Sequence, residues 1–155
     1  MRKILFVCHG NICRSPMAAG YMRKLLENRG IDGAEIDSAG IGALSGYPAS
    51  DSAREVARLH GFSIDDHRAR QILSADLEYY DEILVMERSQ KMMLQTHSEI
   101  PAERIQLLGE FGSAADPEID DPYGGDIESY HETFALIEDA VEGYVNKRFP
   151  KNSNG

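Results

Sequence analysis

Cysteine is scarce in this sequence, and tryptophan is absent. The cysteines of the 155-residue chain are Cys8 and Cys13, too few for the disulfide framework of a small secreted protein. No His and Cys residues have the spacing of a zinc site, so we expect neither a metal nor a cofactor. No apolar run approaches the length of a membrane span, and we therefore expect no membrane partner.

Positive charge is also in short supply. The chain has 16 Lys and Arg residues against 26 Asp and Glu, which gives a formal net charge of −10. This balance argues against a nucleic-acid-binding or anionic-membrane-binding surface. It does not exclude an anionic substrate, because a single loop can be locally positive in an acidic protein.

Length and composition predict one ordinary globular domain, since 42% of the residues are hydrophobic. We expect residues 1–150 to form this domain and residues 151–155 to form a disordered tail. Residues 1–7 have the pattern of a strand rather than of a signal peptide, so we expect a cytoplasmic protein. We also expect a monomer.

One stretch near the start of the chain combines a nucleophile with an anion site. The apolar run Lys3–Val7 predicts a strand, and a helix is predicted to follow the polar residues Cys8–Ser15. Backbone N–H groups converge at a helix N-terminus, which favours anions. Cys8 opens the loop and Arg14 closes it, so the loop offers a thiolate and a guanidinium fork to one dianion.

The residues between Cys8 and Arg14 suit a tight loop. Gly10 permits close backbone approach or a positive φ, and Asn11 tolerates the left-handed region while its amide braces the loop. Ser15 is predicted to cap the helix, with Pro16 at the first helical position. The Ser15 hydroxyl is also predicted to hydrogen-bond the Cys8 sulfur.

The rest of the chain alternates strands with helices. Strands are predicted at 34–40, 82–86 and 105–108, and the last helix begins near Asp126 with an apolar stripe at Ile127, Tyr130, Phe134, Ile137, Val141 and Tyr144. Alternation of this kind predicts a parallel, doubly wound α/β sheet. Its ligand site should lie beyond the carboxyl ends of the strands, where Cys8 falls.

A cysteine and an arginine six positions apart often occur together by chance, but the complete string Cys8-His9-Gly10-Asn11-Ile12-Cys13-Arg14-Ser15-Pro16 between a strand and a helix is specific. It resembles the signature loop of the low-molecular-weight protein tyrosine phosphatases. The resemblance implies an α/β fold whose four-stranded parallel sheet has helices on both faces, with the phosphate-binding loop after strand 1. It also implies a single phosphatase domain that hydrolyses phosphomonoesters through a phosphocysteine intermediate. Inorganic phosphate would be product and inhibitor.

The resemblance also assigns residues. Composition cannot choose a general acid among 26 Asp and Glu, but the family carries it in an Asp-Pro-Tyr segment, which implies Asp121, with Asp120 as second candidate and Tyr123 as a cleft wall. Ser38 and His67 resemble the pair that supports the loop near Asn11. The loop residues would bind phosphate: His9, Gly10, Asn11, Ile12, Cys13, Arg14 and Ser15. Cys13 is either an inert packed residue or a thiol that traps oxidised Cys8 as a disulfide, and the resemblance favours the trap.

At three positions the sequence departs from the family pattern, and these changes reduce the aromatic or apolar surface of the cleft. His9 stands where Leu or Thr is frequent, Leu44 stands where many members have Trp or Tyr, and Gly124 replaces a second tyrosine. His9, Leu44 and Tyr123 are then the predicted cleft residues. The expected substrate is a phosphotyrosine protein or a small aryl phosphate.

Three alternatives remain. A thiol-dependent arsenate reductase needs two additional resolving cysteines, and none follows Cys13. A protein-arginine phosphatase is a close relative, but its members carry Thr where Ile12 stands. A non-catalytic phosphate-binding module would need Arg14 but neither Cys8 nor Asp121.

Overall fold

The structure is a computed structural model that describes residues 1–150, so the tail predicted for residues 151–155 lies outside the described residues. Four strands form one parallel sheet in the order β2-β1-β3-β4. The strands are β1 (Arg2–Cys8), β2 (Ala34–Gly40), β3 (Glu82–Val85) and β4 (Ile105–Leu107). The helices are α1 (Arg14–Asn28), α2 (Asp51–Leu59), α3 (Ser74–Tyr79), α4 (Arg88–Thr96) and α5 (Ile127–Arg148), with 3-10 turns at Ala102–Arg104 and Leu108–Phe111. The predicted parallel α/β sheet is confirmed.

Helices cover both faces of the sheet, as expected. Ile4 and Phe6 of β1 pack into a core layer that includes buried residues of α1, α2 and α5. Leu5 and Val7 point to the other layer, which includes Leu77 of α3 and Leu94 of α4. Successive strand residues face opposite sides, so a central strand covered on both faces is apolar at every position.

The last helix lies in the first of these layers. Its predicted stripe is buried from Tyr130 to Tyr144. Ile127, however, is the first residue of the helix and is 39% exposed, so its inclusion in the buried stripe was wrong. No helix within residues 1–150 combines the length and hydropathy of a membrane span.

The register of the sheet brings three strand ends together. Cys8 pairs with Gly40, and the preceding Val7 pairs with Val85. Because the strands are parallel, residues that follow Cys8, Gly40 and Val85 emerge at one edge of the sheet. That edge carries the candidate site.

Candidate active site

The loop Cys8–Cys13 joins the end of β1 directly to α1. The helix begins at Arg14 with Cys13 as its N-cap, and no side chain caps it. Ser15 and Pro16 are therefore the second and third helical residues, and the prediction that they would be the cap and the first position was wrong. The Ser15 hydroxyl bonds with side chains of the loop instead.

Two groups contact the sulfur of Cys8. The Ser15 Oγ lies 2.9 Å from the Cys8 Sγ, and the backbone N–H of Asn11 donates to this sulfur over 3.3 Å. The Ser15 oxygen also accepts a hydrogen bond of 2.8 Å from the Asn11 side-chain amide, which leaves its own hydroxyl proton free to point at the sulfur. Two donors are thus directed at one sulfur, where each can stabilise negative charge.

Asn11 holds the loop in shape. It has a φ of 58°, the one positive φ of a non-glycine residue among residues 1–150, and it is fully buried. Its amide donates to Ser15 and, over 2.9 Å, to the Ser38 hydroxyl. Its side-chain oxygen accepts from the backbone N–H of Arg70 over 2.9 Å. Every side-chain hydrogen-bonding group of Asn11 thus ties the loop to the scaffold.

His67 supports the same residue from its backbone side. Its Nε2 lies 2.6 Å from the carbonyl oxygen of Asn11, and because a carbonyl accepts, Nε2 carries the proton. Burial of the imidazole lowers the pKa of His67, although its bond to Asn11 works in the opposite direction. Ser38 and His67 therefore both contact Asn11 rather than Cys8.

The end of β2 approaches the loop closely. A Cβ at Gly40 would lie 2.6 Å from the carbonyl oxygen of His9, and a Cβ at Gly42 would lie 2.8 Å from the His9 ring. Gly40 therefore requires glycine for space because it faces backbone, whereas the exposed His9 ring can move away from a Cβ at Gly42. Gly10 does not: its φ is not positive, and a Cβ there would meet Ile12 at an ordinary 3.7 Å. Neither strain nor crowding within the protein explains Gly10, contrary to the positive φ that the sequence allowed.

The guanidinium of Arg14 is buried beside the loop, with 2% of its side chain exposed. Its Nη1 donates to the carbonyl of Ile119 over 2.7 Å and lies 3.3 Å from the Glu87 carboxylate. Its Nη2 lies 3.7 Å from the Asp121 carboxylate. Its Nε has no hydrogen-bond partner among the described residues. A buried cation with a free donor is ready to bind an oxyanion.

The loop before α5 brings Asp121 to Arg14. The backbone N–H of Ile119 bonds to the carbonyl of Met86 over 2.9 Å, which anchors this loop at the end of β3. The Asp121 side chain is 43% exposed, and its Oδ1 accepts from the backbone N–H of Tyr123 over 3.0 Å. Asp120 is exposed and lies outside the group of residues that lines the cleft. The geometry thus separates two adjacent carboxylates.

A cleft of about 220 Å³ opens above the Cys8 sulfur. It is lined by most of the predicted loop and cleft residues, namely Cys8, His9, Gly10, Ile12, Cys13, Arg14, Leu44, Asp121 and Tyr123. Gly42 and Tyr47 complete it. Asn11, Ser15, Ser38 and His67 lie behind this lining. The cleft therefore joins a thiol, a buried guanidinium and a half-exposed carboxylate beneath an apolar rim.

Comparison with known proteins gives this geometry a family. The family model of the low molecular weight phosphotyrosine protein phosphatases matches residues 3–154. The chain belongs to this family. It is 41% identical over 145 residues to a probable low molecular weight protein-tyrosine-phosphatase, EpsP, from Ralstonia solanacearum, covering 94% of both chains. It is 35% identical to a protein-arginine-phosphatase from Geobacillus stearothermophilus, covering 94% of this chain and 95% of that one.

A solved structure has the same fold. The low molecular weight protein tyrosine phosphatase from T. tengcongensis superposes with a TM-score of 0.87 at 36% identity, over 95% of this chain and 99% of that one. The resemblance read from the Cys8–Pro16 string is therefore confirmed, as is the expected membership of a family of phosphatases.

Within this phosphatase, Cys13 lines the cleft, and its sulfur contacts two hydroxyls. Its Sγ lies 3.3 Å from the Ser50 Oγ and 3.4 Å from the Tyr130 hydroxyl. Burial raises the pKa of the Cys13 thiol, even though both hydrogen bonds act to lower it. Burial likewise raises the pKa of Tyr130 to about 12. Cys13 is therefore a neutral thiol near pH 7.

Sequence reasoning missed several residues of this phosphatase site. Glu87 holds the Arg14 guanidinium, and Gln90 holds Glu87 through its amide, which lies 3.3 Å from Oε2. Glu87 follows β3 at the sheet edge where ligand sites lie, and this position was the one signal available. No local sequence pattern indicates that the segments carrying Tyr47, Ser50 and Tyr130 approach the loop.

Proposed function

We propose that this protein hydrolyses phosphate monoesters of tyrosine, with Cys8 as nucleophile, Arg14 as phosphate ligand and Asp121 as general acid and base. One observation carries the proposal: the Cys8 sulfur receives the Ser15 hydroxyl and the Asn11 N–H at the floor of a cleft that Arg14 and Asp121 also line. A binding module would have no use for a stabilised thiolate at that position.

Substrate binding uses the loop and the arginine together. The phosphate dianion is held by the backbone amides between His9 and Ser15 and by the Arg14 side chain. The Nε of Arg14 supports this role, because binding an oxyanion satisfies a buried donor that has no partner within residues 1–150. Glu87 and the Ile119 carbonyl fix the guanidinium before substrate arrives, which favours electrostatic preorganisation.

The first chemical step transfers the phosphoryl group to sulfur. The Cys8 thiolate attacks phosphorus, an S–P bond forms, and the P–O bond to the phenol oxygen breaks. Asp121 in its acid form gives its proton to the departing oxygen. The position of its carboxylate, 3.7 Å from Arg14 Nη2 in the lining of the same cleft, supports this assignment.

The second step regenerates the enzyme. The Asp121 carboxylate removes a proton from water, the resulting hydroxide attacks phosphorus, and the S–P bond breaks. Inorganic phosphate leaves, the Cys8 thiolate is restored, and Asp121 is again in its acid form. The donors at the sulfur stabilise the negative charge that returns to Cys8 in this step, as the 2.9 Å approach of Ser15 supports.

The supporting residues act through the shape of the loop. Asn11, Ser38 and His67 keep the amides of the loop directed inward, because their hydrogen bonds fix the backbone at Asn11. Asp120 has no contact with Arg14 within the described residues, so it is the weaker candidate for the acid.

Cys13 protects the nucleophile from irreversible oxidation in this proposal. Peroxide oxidises the Cys8 thiolate to a sulfenic acid, Cys13 attacks that sulfur after losing its proton, a disulfide forms and water leaves. A cellular thiol reductant then restores both cysteines. Cys13 lines the same cleft as Cys8, which supports the reaction.

The residues that line the cleft indicate which substrate is bound. The arginine phosphatase among the relatives keeps phosphoarginine as the rival substrate, whereas Ile12, Leu44 and Tyr123 line an apolar cleft suited to an aryl ring. An arsenate reductase relay is not supported, because no cysteine follows Cys13.

The test compares phosphotyrosine, phosphoserine and phosphoarginine peptides on the purified protein. We expect turnover of phosphotyrosine, its loss in Cys8→Ser with phosphate binding retained, and a decrease of about 10²–10⁴ in kcat for Asp121→Ala, the usual scale for a general acid. Asp120→Ala is the matched control and should change kcat little. Turnover by Cys8→Ser, or preference for phosphoarginine, would contradict the proposal.

A further inference from the structure

One aromatic wall of the cleft was not assigned by any sequence motif. Tyr47 lines the cleft together with Leu44 and Tyr123, and it is 56% exposed. It packs into neither of the two core layers. An exposed aromatic side chain at the mouth of a cleft has most of its surface free to contact a ligand.

The backbone of Tyr47 is fixed despite the exposure of its side chain. Its carbonyl accepts a hydrogen bond of 2.7 Å from the N–H of Ala69, and the N–H of the preceding Gly46 donates to the Ala69 carbonyl over 2.8 Å. The N–H of Tyr47 bonds to the Leu44 carbonyl over 3.3 Å, which closes a turn. Gly46 has a φ of 92°, a conformation that favours glycine and lets the chain turn back toward the cleft.

The segment that fixes Tyr47 also fixes the phosphate loop. On either side of Ala69, the Arg70 N–H donates to the Asn11 side chain and the His67 ring donates to the Asn11 carbonyl. Residues 67–70 therefore connect Tyr47 to Asn11: Ala69 forms backbone hydrogen bonds with residues 46 and 47, while the Arg70 N–H and the His67 ring bond to Asn11. The distance between the Tyr47 backbone and a phosphate bound in the loop is set by the scaffold rather than by a freely moving loop.

We propose that Tyr47 is a specificity-determining residue whose ring contacts the aryl group of the substrate, with Tyr123 contributing a second aromatic surface from the loop before α5. The inference rests on the proposed phosphatase activity and names the feature of the substrate that the rim recognises. Aromatic contacts of this kind depend on ring geometry as well as on buried area. Tyr47 takes no part in the chemical steps.

Two competitive ligands separate the rim from the loop. Inorganic phosphate reports binding in the loop alone, whereas phenylphosphonate reports the loop together with the rim. We expect Tyr47→Ala to weaken phenylphosphonate binding by about tenfold, the order expected for loss of an aromatic contact. Phosphate binding should be unchanged, and Tyr47→Phe should retain phenylphosphonate binding within about twofold, because the ring and not the hydroxyl makes the contact.

The controls keep the result interpretable. Tyr79→Ala removes a comparably exposed tyrosine, 47% exposed, that does not line the cleft, and should alter neither ligand. With a phosphotyrosine peptide, Tyr47→Ala should raise KM and leave kcat nearly unchanged. Unchanged phenylphosphonate binding in Tyr47→Ala, or equal weakening of both ligands, would overturn the inference. Failure of the proposed function would appear separately, as no turnover of phosphotyrosine by the unmodified protein.

Discussion

Replacement of Asn11 by alanine is the most informative single perturbation of this site, because one side chain holds three hydrogen bonds and a strained backbone. The Arg70 N–H loses its acceptor, and a buried unsatisfied donor costs about 1–3 kcal/mol. The Ser15 and Ser38 hydroxyls lose a donor but can rotate, so each contributes only about 0.5–1 kcal/mol. Alanine at a φ of 58° adds about 1 kcal/mol.

These terms together predict that Asn11→Ala lowers the free energy of unfolding by about 4 kcal/mol. Asn11→Gly loses the same hydrogen bonds without the backbone strain, so its loss should be about 3 kcal/mol. Both values are large against the 5–15 kcal/mol typical of a domain. Urea denaturation of the three proteins measures the differences, and hydrogen exchange at the Arg70 amide detects the lost acceptor directly.

Asn28→Ala is the matched control, since Asn28 is exposed near the end of α1 and should change stability by less than about 0.5 kcal/mol. A loss below about 1 kcal/mol in Asn11→Ala would refute the reasoning. So would a glycine variant less stable than the alanine variant, because the positive φ would then carry no cost.

Two further predictions concern oxidation and pH. After brief peroxide treatment, the unmodified protein should recover phosphatase activity with a thiol reductant. Cys13→Ser should recover much less activity, because Cys8 then oxidises irreversibly. Equal recovery would show that Cys13 does not trap oxidised Cys8 as a disulfide. His67 has a pKa lowered by burial in the folded state, so the unfolded chain binds a proton more readily and the folded state loses stability as pH falls below about 6.5. Urea denaturation between pH 7.5 and 5 should show that the free energy of unfolding falls more steeply for the unmodified protein than for His67→Gln, by at most about 1.4 kcal/mol per pH unit. Identical slopes would show that His67 does not take up a proton on unfolding.

The sequence predicted what local pattern and strand order determine. The apolar run of β1 and the alternation of strands with helices specified the parallel sheet, and the Cys8–Pro16 string specified the loop at its edge. The sequence also predicted the contact of Ser15 with the Cys8 sulfur. The prediction that Ser15 caps the helix was wrong because its hydroxyl bonds with the side chains of Cys8 and Asn11 instead. These two contacts outweigh the local capping preference.

The missed residues share a physical reason. Glu87 and the Ile119 carbonyl reach Arg14 from positions 73 and 105 residues later in the chain, and Tyr47 faces the cleft because residues 46 and 47 pair with Ala69. Nothing in the hydrophobic periodicity near these residues records such approaches, since the sheet and not the local segment brings them together. Family resemblance could place Asp121 only because a short motif surrounds it.

The buried guanidinium of Arg14 explains why so many distant residues converge on one loop. An isolated buried cation costs several kcal/mol, and its neighbours within the described residues offset this cost only in part: one carbonyl, one carboxylate at 3.3 Å and another at 3.7 Å, with Nε left unpartnered. Complete satisfaction by protein groups would stabilise the fold but would leave no donor for a phosphate. Under the proposed function, the incomplete set gives up some folding stability in return for affinity toward an oxyanion, while the Ile119 carbonyl, Glu87 and Asp121 hold the guanidinium beside the loop.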